Sequence, residues 1–462
     1  NITYLNSASV LIEDKNVKIL CDPWLDGEEY FGSWGIYPPY DFRPEIFDDV
    51  DFIHISHIHP DHCSSSTLSK LNKKIPIIIH KFPEKFLRLF LENLGFDVIE
   101  LEHNKRTKLK ENVHINVLAA DDCNPEICGK LMGCNVLEKN YGTTQIDTLS
   151  IIDNGNEVIV NTNDCPFPIA EKTSFKVKQL HPNVDFLLVG YVKASSYPQC
   201  FDLDESEKMN EAIIKQEKKL QTTLQYVNLF KPRYFMPFAG RYTLTGKNVD
   251  LNKYRGEPEL EHAYEYLIKN IPENESKCIV LNHECDFDIS TEKQSQEFIP
   301  VDFDEKSNFV TSVFSKKRYE YEDEPIPSEQ DLIKLLPKCY ENFEKARKSI
   351  NWVSETKIIL KINDDSFGVI SCNGDGYDIC TAKEIQKFDQ FLMMTLDNRL
   401  LKWILQGPRK AHWSIADIGC HITYKRVPNT YERGLYYCCL LYTSDAADDT
   451  PCVDLGGRRI IK

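Results

Sequence analysis

The stretch "VDFIHISHIHPDHCSSS", residues 50–66, decides how the rest of the chain is read. Between residues 54 and 62 it holds four histidines and one aspartate. "VDFIHIS" reads as a buried strand that runs straight into a polar loop. There His57, His59, Asp61 and His62 form the pattern His-x-His-x-Asp-His. Imidazole suits zinc or iron, and alternating histidines on a tight loop can converge on one ion. The adjacent Asp61–His62 pair can serve a second ion, and two neighbouring ions can clamp and activate a water. The competing reading is a histidine-rich surface loop, which the strand-then-loop context disfavours. His54 lies on the strand and reads as a packed core residue. Ser64–Ser66 offer N-caps for a short helix carrying Leu68 and Leu71.

Strand patterns flank this loop on both sides. "ITYLN", "ASVLIED" and "VKILCDPWL" alternate before it; "IPIIIH", "INVLAADDC", "TLSIIDNG", "EVIVNTNDC" and "VDFLLVG" follow. "PEKFLRLFLENLG" reads as a helix opened by proline and closed by glycine. The clearest helix covers residues 205–230, with Met209, Ala212, Ile213, Leu220, Leu224 and Val227 on roughly one apolar face. It leads into the strand "PRYFMPFAG". Strands and helices mixed on this scale predict an α/β fold of two sheets covered by helices. The acidic, proline-containing "YEYEDEPIPSEQ" sets a boundary near residue 325, giving one domain over 1–324 and a smaller α+β domain over 325–438. The latter is expected to hold a helix at 331–350, strands "TKIILKIN", "FGVISCN", "GYDICT" and "CHITYKR", and a helix near 386–406.

With 462 residues, 42% hydrophobic and 27% charged, the chain has an ordinary globular composition with room for two or three domains. A net charge of −16 argues against nucleic acid or an anionic membrane as partner, because their phosphates would be repelled. No apolar run spans a bilayer and no signal-peptide pattern opens the chain, so a cytoplasmic location with reduced thiols among the 16 cysteines is expected. Cys63 and Cys165 each follow a candidate ligand, and Cys123, Cys128 and Cys134 share one loop. Thiolates there could hold a further zinc or iron–sulfur site; buried thiols packing as small hydrophobes are the commoner outcome. The start at Asn1, inside a strand pattern, leads us to expect a missing upstream portion. "CLLYTSDAADD" and "CVDLGGRRIIK" back-translate as sequencing-adapter DNA, so residues 439–462 are expected to be non-native.

The early strands, "CDPWL" and the His-x-His-x-Asp-His loop resemble the metallo-β-lactamase superfamily over roughly residues 1–300. The resemblance implies an αββα sandwich holding one or two divalent ions, zinc or iron, with manganese also open. It implies later ligands at strand ends: a histidine, an aspartate bridging both ions, and a final histidine. Asp164 in "VNTNDC" fits the bridging position, with a plain turn aspartate as the alternative. Asp122 in "LAADDC" falls where the histidine would stand, and Asp121 is one position away. "MPFAG" carries no final histidine; His283 either substitutes in space or is a buried structural residue. Fewer imidazoles and more carboxylates favour iron or manganese over zinc.

"CDPWL", "ISHIHPDH", "VNTNDC" and "PFAG" together resemble the CMP-N-acetylneuraminate hydroxylase family and its bacterial relatives. "DNRLLKWILQGPRKAHW" and "YERGLYY" extend that resemblance to residue 437. It implies oxygen insertion into a CMP-linked sialic acid, with electrons from a Rieske centre. No Cys-x-His needed for such a centre occurs in these 462 residues, so an upstream Cys-x-His segment, a separate Rieske centre or a partner ferredoxin would be needed. The small domain has a plan resembling a sterol-carrier-like fold, with Trp403 and Trp413 either lining a pocket or packing in a core.

Three functions are therefore expected to compete. The first is a metal-dependent hydrolase of an anionic ester, lactone or phosphodiester, with Asp61 and Asp164 as catalytic carboxylates and Arg241 binding the anion. The second is a hydroxylase-like oxidoreductase acting on a nucleotide sugar. The third is a non-catalytic binding module with a degraded metal site.

Overall fold

The computed structural model describes residues 1–82, 85–120, 147–408 and 410–438. Two sheets dominate the first three hundred residues. One has eight strands in the order Lys293–Gln294, Cys285–Asp288, Ile2–Asn6, Ser9–Asp14, Val17–Cys21, Phe52–His54, Ile77–His80, Val98–Leu101. The other has seven, in the order Lys277–Cys278, Tyr234–Phe238, Phe186–Gly190, Val158–Asn161, Thr148–Asp153, Val113–Ala119, Thr107–Lys110.

Side-chain parity explains why these strands are apolar almost throughout. Ile19, Cys21, Ile78, Val117, Ile152, Phe186 and Leu188 point between the sheets and form one core. Their neighbours Leu20, Ile77 and Ile79 point to the outer face of the first sheet. Leu118, Ile151, Leu187 and Val189 point to the outer face of the second, under the helices Phe167–Leu180, Glu205–Phe230 and Leu260–Asn270. A strand covered on both faces loses the alternation of a half-exposed one. The result is an α/β sandwich of the αββα kind, followed by an additional smaller domain.

The Glu205–Phe230 helix begins at a capping box. Asp204 accepts from the Glu207 amide at 2.8 Å, and the Glu207 carboxylate accepts from the Asp204 amide at 3.2 Å. It stops at Lys231, whose φ of 42° is left-handed. Leu220, Thr223, Tyr226, Val227 and Phe230 are buried, but Met209 and Ile213 are 42% and 49% exposed, contrary to the expected stripe. Thr223 donates to the Gly190 carbonyl and Tyr226 to that of Cys165, so the covered half is the C-terminal one. Periodicity identifies a face; it does not identify which turns of that face are covered.

Beyond residue 356 lies a separate five-stranded sheet: Tyr377–Cys380, Phe367–Ser371, Lys357–Lys361, Phe391–Thr395, Thr423–Val427. The single helix expected near 386–406 is instead the strand Phe391–Thr395 and the helix Asn398–Gln406. Pairing of Phe391–Met394 alongside Lys357–Leu360 overrides the local helical preference, and Asp397 N-caps the helix by accepting from the Arg399 amide at 3.0 Å. The helix expected at 331–350 is likewise broken, into Glu329–Ile333 and Leu336–Ser349, with a proline opening the second. Trp403 and Trp413 belong to a core that runs continuously from Ile53 and Ile77 through Phe31 and Tyr321 to Leu392 and Ile404. The small sheet is thus packed onto the first domain.

The helix orientation has a direct consequence. Ile213→Lys should change stability by no more than about 0.5 kcal/mol, whereas Leu220→Ala should cost about 2–5 kcal/mol. Urea unfolding midpoints of the two variants read the difference; comparable losses would mean the helix is seated differently.

Candidate metal centre

Residues 55–62 leave the C-terminal end of the Phe52–His54 strand, where the sheet no longer dictates backbone direction. A buried carboxylate fixes them instead. Asp22, at the end of the neighbouring strand, accepts from the Ser56 amide and the Ser56 hydroxyl, both at 2.7 Å, and lies 2.9 Å from His62 Nδ1. Ser56 Oγ, having donated to Asp22, stands 2.9 Å from His57 Nδ1 and can accept its proton. With hydrogen held on Nδ1, both rings turn Nε2 towards the cluster as the atom a metal would take. Orientation of a metal-ligating imidazole by a carboxylate has this form.

The two nitrogens converge. His57 Nε2 lies 2.8 Å from His59 Nδ1, 3.5 Å from Asp147 Oδ1 and 4.0 Å from Asp164 Oδ2. His62 Nε2 lies 3.3 Å from Asp164 Oδ1 and 3.5 Å from Asp61 Oδ2. Two donors on one tetrahedral ion, each about 2.1 Å from it, stand about 3.4 Å apart. The observed spacings bracket that value, so the donor set fits divalent metal. His57, His59 and Asp147 form one compatible group; His57, His62 and Asp164 form another. An imidazole nitrogen has a single lone pair, so His57 can serve only one ion. Asp164 turns one oxygen towards His57 and the other towards His62, the disposition of a bridging carboxylate.

The electrostatics are those of a crowded, dehydrated cluster. Burial, then the neighbouring histidines, pulls His57 well below its ordinary range, and burial takes His59 down to about 4. Burial also opposes charge on His62, but Asp164, Asp61 and Asp22 overcome it and raise that ring well above the usual value. Asp61 is pushed up to about 6 by burial. Burial raises Asp164 too, yet the three histidines hold it below the carboxylate range. Ligands in such a cluster exchange protons for metal readily.

His57, His59, Asp61, His62 and Asp164 are thus brought together as the sequence led us to expect. Asp122, its neighbour Asp121, and Cys123, Cys128 and Cys134 lie outside the described residues, as do residues 439–462. Cys63 and Cys165 pack in hydrophobic cores with thiols raised by burial. Arg241 is buried with its guanidinium over the rings of Tyr4 and Phe298, 5.7 and 5.6 Å from their centres. His283 packs against Tyr4 and Tyr40.

Asp147 was not legible in the sequence. It precedes the strand Thr148–Asp153, which runs antiparallel to both neighbours, so its start lies beside the ends of Val113–Ala119 and Val158–Asn161. Thr148 donates to the Ser56 carbonyl at 2.9 Å and accepts at its own carbonyl from Asn163 Nδ2 at 2.9 Å, tying Asp147 to both ligand loops. Two further residues enter from a distance. Lys219, on the long helix, lies within the field of Asp164 and Asp147. His412, from the small domain, adds to the field at His59, and its Nδ1 accepts from the Ser414 amide at 3.2 Å.

Comparison with known proteins bears on this cluster. A family model described as a β-lactamase superfamily domain matches residues 1–129. The cytidine monophosphate-N-acetylneuraminic acid hydroxylase of Xenopus laevis is 28% identical over 253 residues, covering 52% of this chain and 38% of that protein. A protein described as a Rieske 2Fe-2S iron-sulfur protein in Mycolicibacterium smegmatis is 26% identical over 263 residues, covering 56% of this chain and 47% of its own length. The chain therefore spans less than half the length of these curated relatives. Among solved structures, CmlA, a diiron β-hydroxylase from Streptomyces venezuelae, aligns with a TM-score of 0.40 and 15% identity over 61% of this chain and 52% of that one; a likeness that low carries no argument here. Residues 1–129 thus match a β-lactamase superfamily domain, and about half of the chain is similar to these hydroxylase relatives.

Proposed function

We propose that the chain is a metal-dependent enzyme that hydrolyses an anionic ester, lactone or phosphodiester, with sugar and nucleotide-sugar derivatives as the favoured class. The observation that supports it is the division of donors around Asp164. His57, His59 and Asp147 would hold one ion and His62 and Asp61 the other, with Asp164 turning one oxygen towards each group. Asp122 stays in the proposed ligand set on its sequence position. Divalent metal held by these residues would supply an activated water and Lewis-acid polarisation of the bond to be cleaved.

The chain's own residues supply the rest. Asp164, partly open to solvent, faces the reacting side and orients the nucleophile. Asp61, with one oxygen held by Tyr30 and the other turned towards His62, is placed to help hold the second ion. Lys219 gives a cation on the Asp164 side for an anionic substrate, while Arg241, its guanidinium over the rings of Tyr4 and Phe298, is the secondary candidate. The partner is a small anion; nucleic acid and membrane are not part of the proposal, and no helix among the described residues is long and apolar enough to cross a membrane. A cytoplasmic location belongs to the same proposal and rests on composition alone, as does the division of the chain into 1–324 and 325–438.

A second reading, oxygen-dependent hydroxylation of a CMP-sialic-acid-like nucleotide sugar, draws on a different observation. Three carboxylates accompany only three histidines in the cluster, a balance that favours iron or manganese over zinc. The Xenopus laevis relative carries the hydroxylase name and the Mycolicibacterium smegmatis one a Rieske description; electrons would come from an upstream or separate Rieske centre or a ferredoxin.

Metal analysis and turnover separate these readings. The purified chain is expected to hold two equivalents of metal, and His57→Ala to lose most of it; unchanged metal content in that variant refutes the site. Zinc with esterase or phosphodiesterase turnover selects hydrolysis, iron with substrate-linked oxygen consumption selects hydroxylation, and no bound metal leaves only a binding module. Asp22→Asn keeps an acceptor for Ser56 but weakens the hold on His62. It is expected to lower metal affinity about 10–100-fold, measured by competition with a chelator.

A further inference from the structure

Tyr30 is buried, and its hydroxyl donates to Asp61 Oδ1 at 2.6 Å. That bond occupies one carboxylate oxygen and leaves Oδ2 facing His62 Nε2 at 3.5 Å. The backbone that delivers the ring is strained: Tyr30 and Phe31 are successive left-handed residues, with φ of 55° and 57°. Non-glycine residues adopt this conformation only where their surroundings over-determine it, and such places gather at functional sites.

The surroundings here come from far along the chain. His421, in the small domain, donates through Nε2 to the Tyr30 carbonyl at 2.7 Å, and its Nδ1 lies 3.0 Å from the Tyr321 hydroxyl. The Phe31 carbonyl accepts from the Glu320 amide at 3.2 Å. Phe31 meets Trp403 and His421 edge-on, at 6.4 and 5.8 Å. On the other side, Tyr30 packs 4.1 Å from Trp34, which stacks at 3.5 Å on Tyr242. The first domain alone supplies Ser33, whose hydroxyl donates to the Tyr30 carbonyl at 3.0 Å.

We propose that Tyr30 is a positioning residue that turns Asp61 towards the second metal ion, and that the small domain, through His421, completes the centre by holding Tyr30 in place. The inference rests on the two-ion reading above. It gives the small domain a role in the chemistry of the first, reached through a chain of hydrogen bonds that no sequence motif marks.

The test titrates the full chain with cobalt(II) and follows both its affinity and its visible absorption. In the parent, two equivalents are expected. Tyr30→Phe keeps the ring against Trp34 and removes only the hydroxyl. It should leave the first equivalent unchanged, weaken the second about tenfold or more, and alter the cobalt bands of the second site. His421→Ala should reproduce that pattern, and His421→Gln, whose amide can still donate to the Tyr30 carbonyl, should restore part of it. Should His421→Ala fail to fold, Tyr30→Phe decides alone. Equal second-site affinity and an unchanged spectrum in Tyr30→Phe overturn the proposal while the two-ion reading stands; a parent that binds fewer than two equivalents overturns both.

Discussion

The carboxylate of Asp22 is the point on which the centre depends. A bare carboxylate taken out of water costs several kcal/mol. Asp22 is fully buried, yet it faces the Ser56 amide, the Ser56 hydroxyl and His62 Nδ1, all within 2.9 Å. Hydrogen bonds to a charged group contribute about 1.5–3 kcal/mol each, enough for three of them to offset that cost. What makes the burial tolerable also sets the function. The same three bonds fix the loop after the Phe52–His54 strand, choose the tautomer of His62 and, through Ser56, that of His57. Both Nε2 atoms then face inward, among His59, Asp61, Asp147 and Asp164.

Tyr30 adds a second layer to this arrangement, and its backbone shows the cost. Each left-handed non-glycine residue is unfavourable by about 1–2 kcal/mol, so the 30–31 pair would relax without external support. That support comes from Thr245, which donates to the Ser33 and Gly32 carbonyls, and from Glu320 and His421. His421 is taken down to about 4 by burial, so it is neutral at physiological pH with one donor and one acceptor nitrogen. Tyr30 and Tyr321 use one each. A charged imidazole would have no acceptor to offer Tyr321; the neutral ring satisfies both partners.

The sequence makes the motif-bearing half of the centre readable. His57, His59, Asp61 and His62 are close in the chain, and Asp164 ends a strand, where α/β folds place functional groups. Asp147 and Asp22 fail that test for different reasons. Asp147 stands at the start of a strand, and only the antiparallel register, which sets Thr148 opposite Ala119, brings a strand start to the functional edge. Asp22 lies within "CDPWL", a phrase that marks family likeness without revealing that its carboxylate points at His62. The helix carrying Met209 and Ile213 shows a related limit: its period is written in the sequence, while the extent of its cover is set by tertiary packing. "FLMMT" became a strand because an unpaired edge at Lys357–Lys361 was available to it.

The segment "YEYEDEPIPSEQ" shows why composition and packing can speak of different things. Its acids and prolines have the make-up of a linker, and the two large sheets do end before it. Yet Tyr319 and Tyr321 are 2% and 1% exposed, while Glu320 and Glu322 are half-buried and Asp323 is exposed. Alternate residues of a short 3-10 turn thus differ in burial. Tyr319 donates to the Thr245 carbonyl at 2.8 Å, and Tyr321 reaches His421, so the seam is tied to the first domain on one side and to the small domain on the other. A hinge there would have to break the aromatic cluster that steadies Tyr30. Rigid attachment of the small domain is therefore a condition for Asp61 to keep its orientation, and the acidic seam is part of the support of the metal centre.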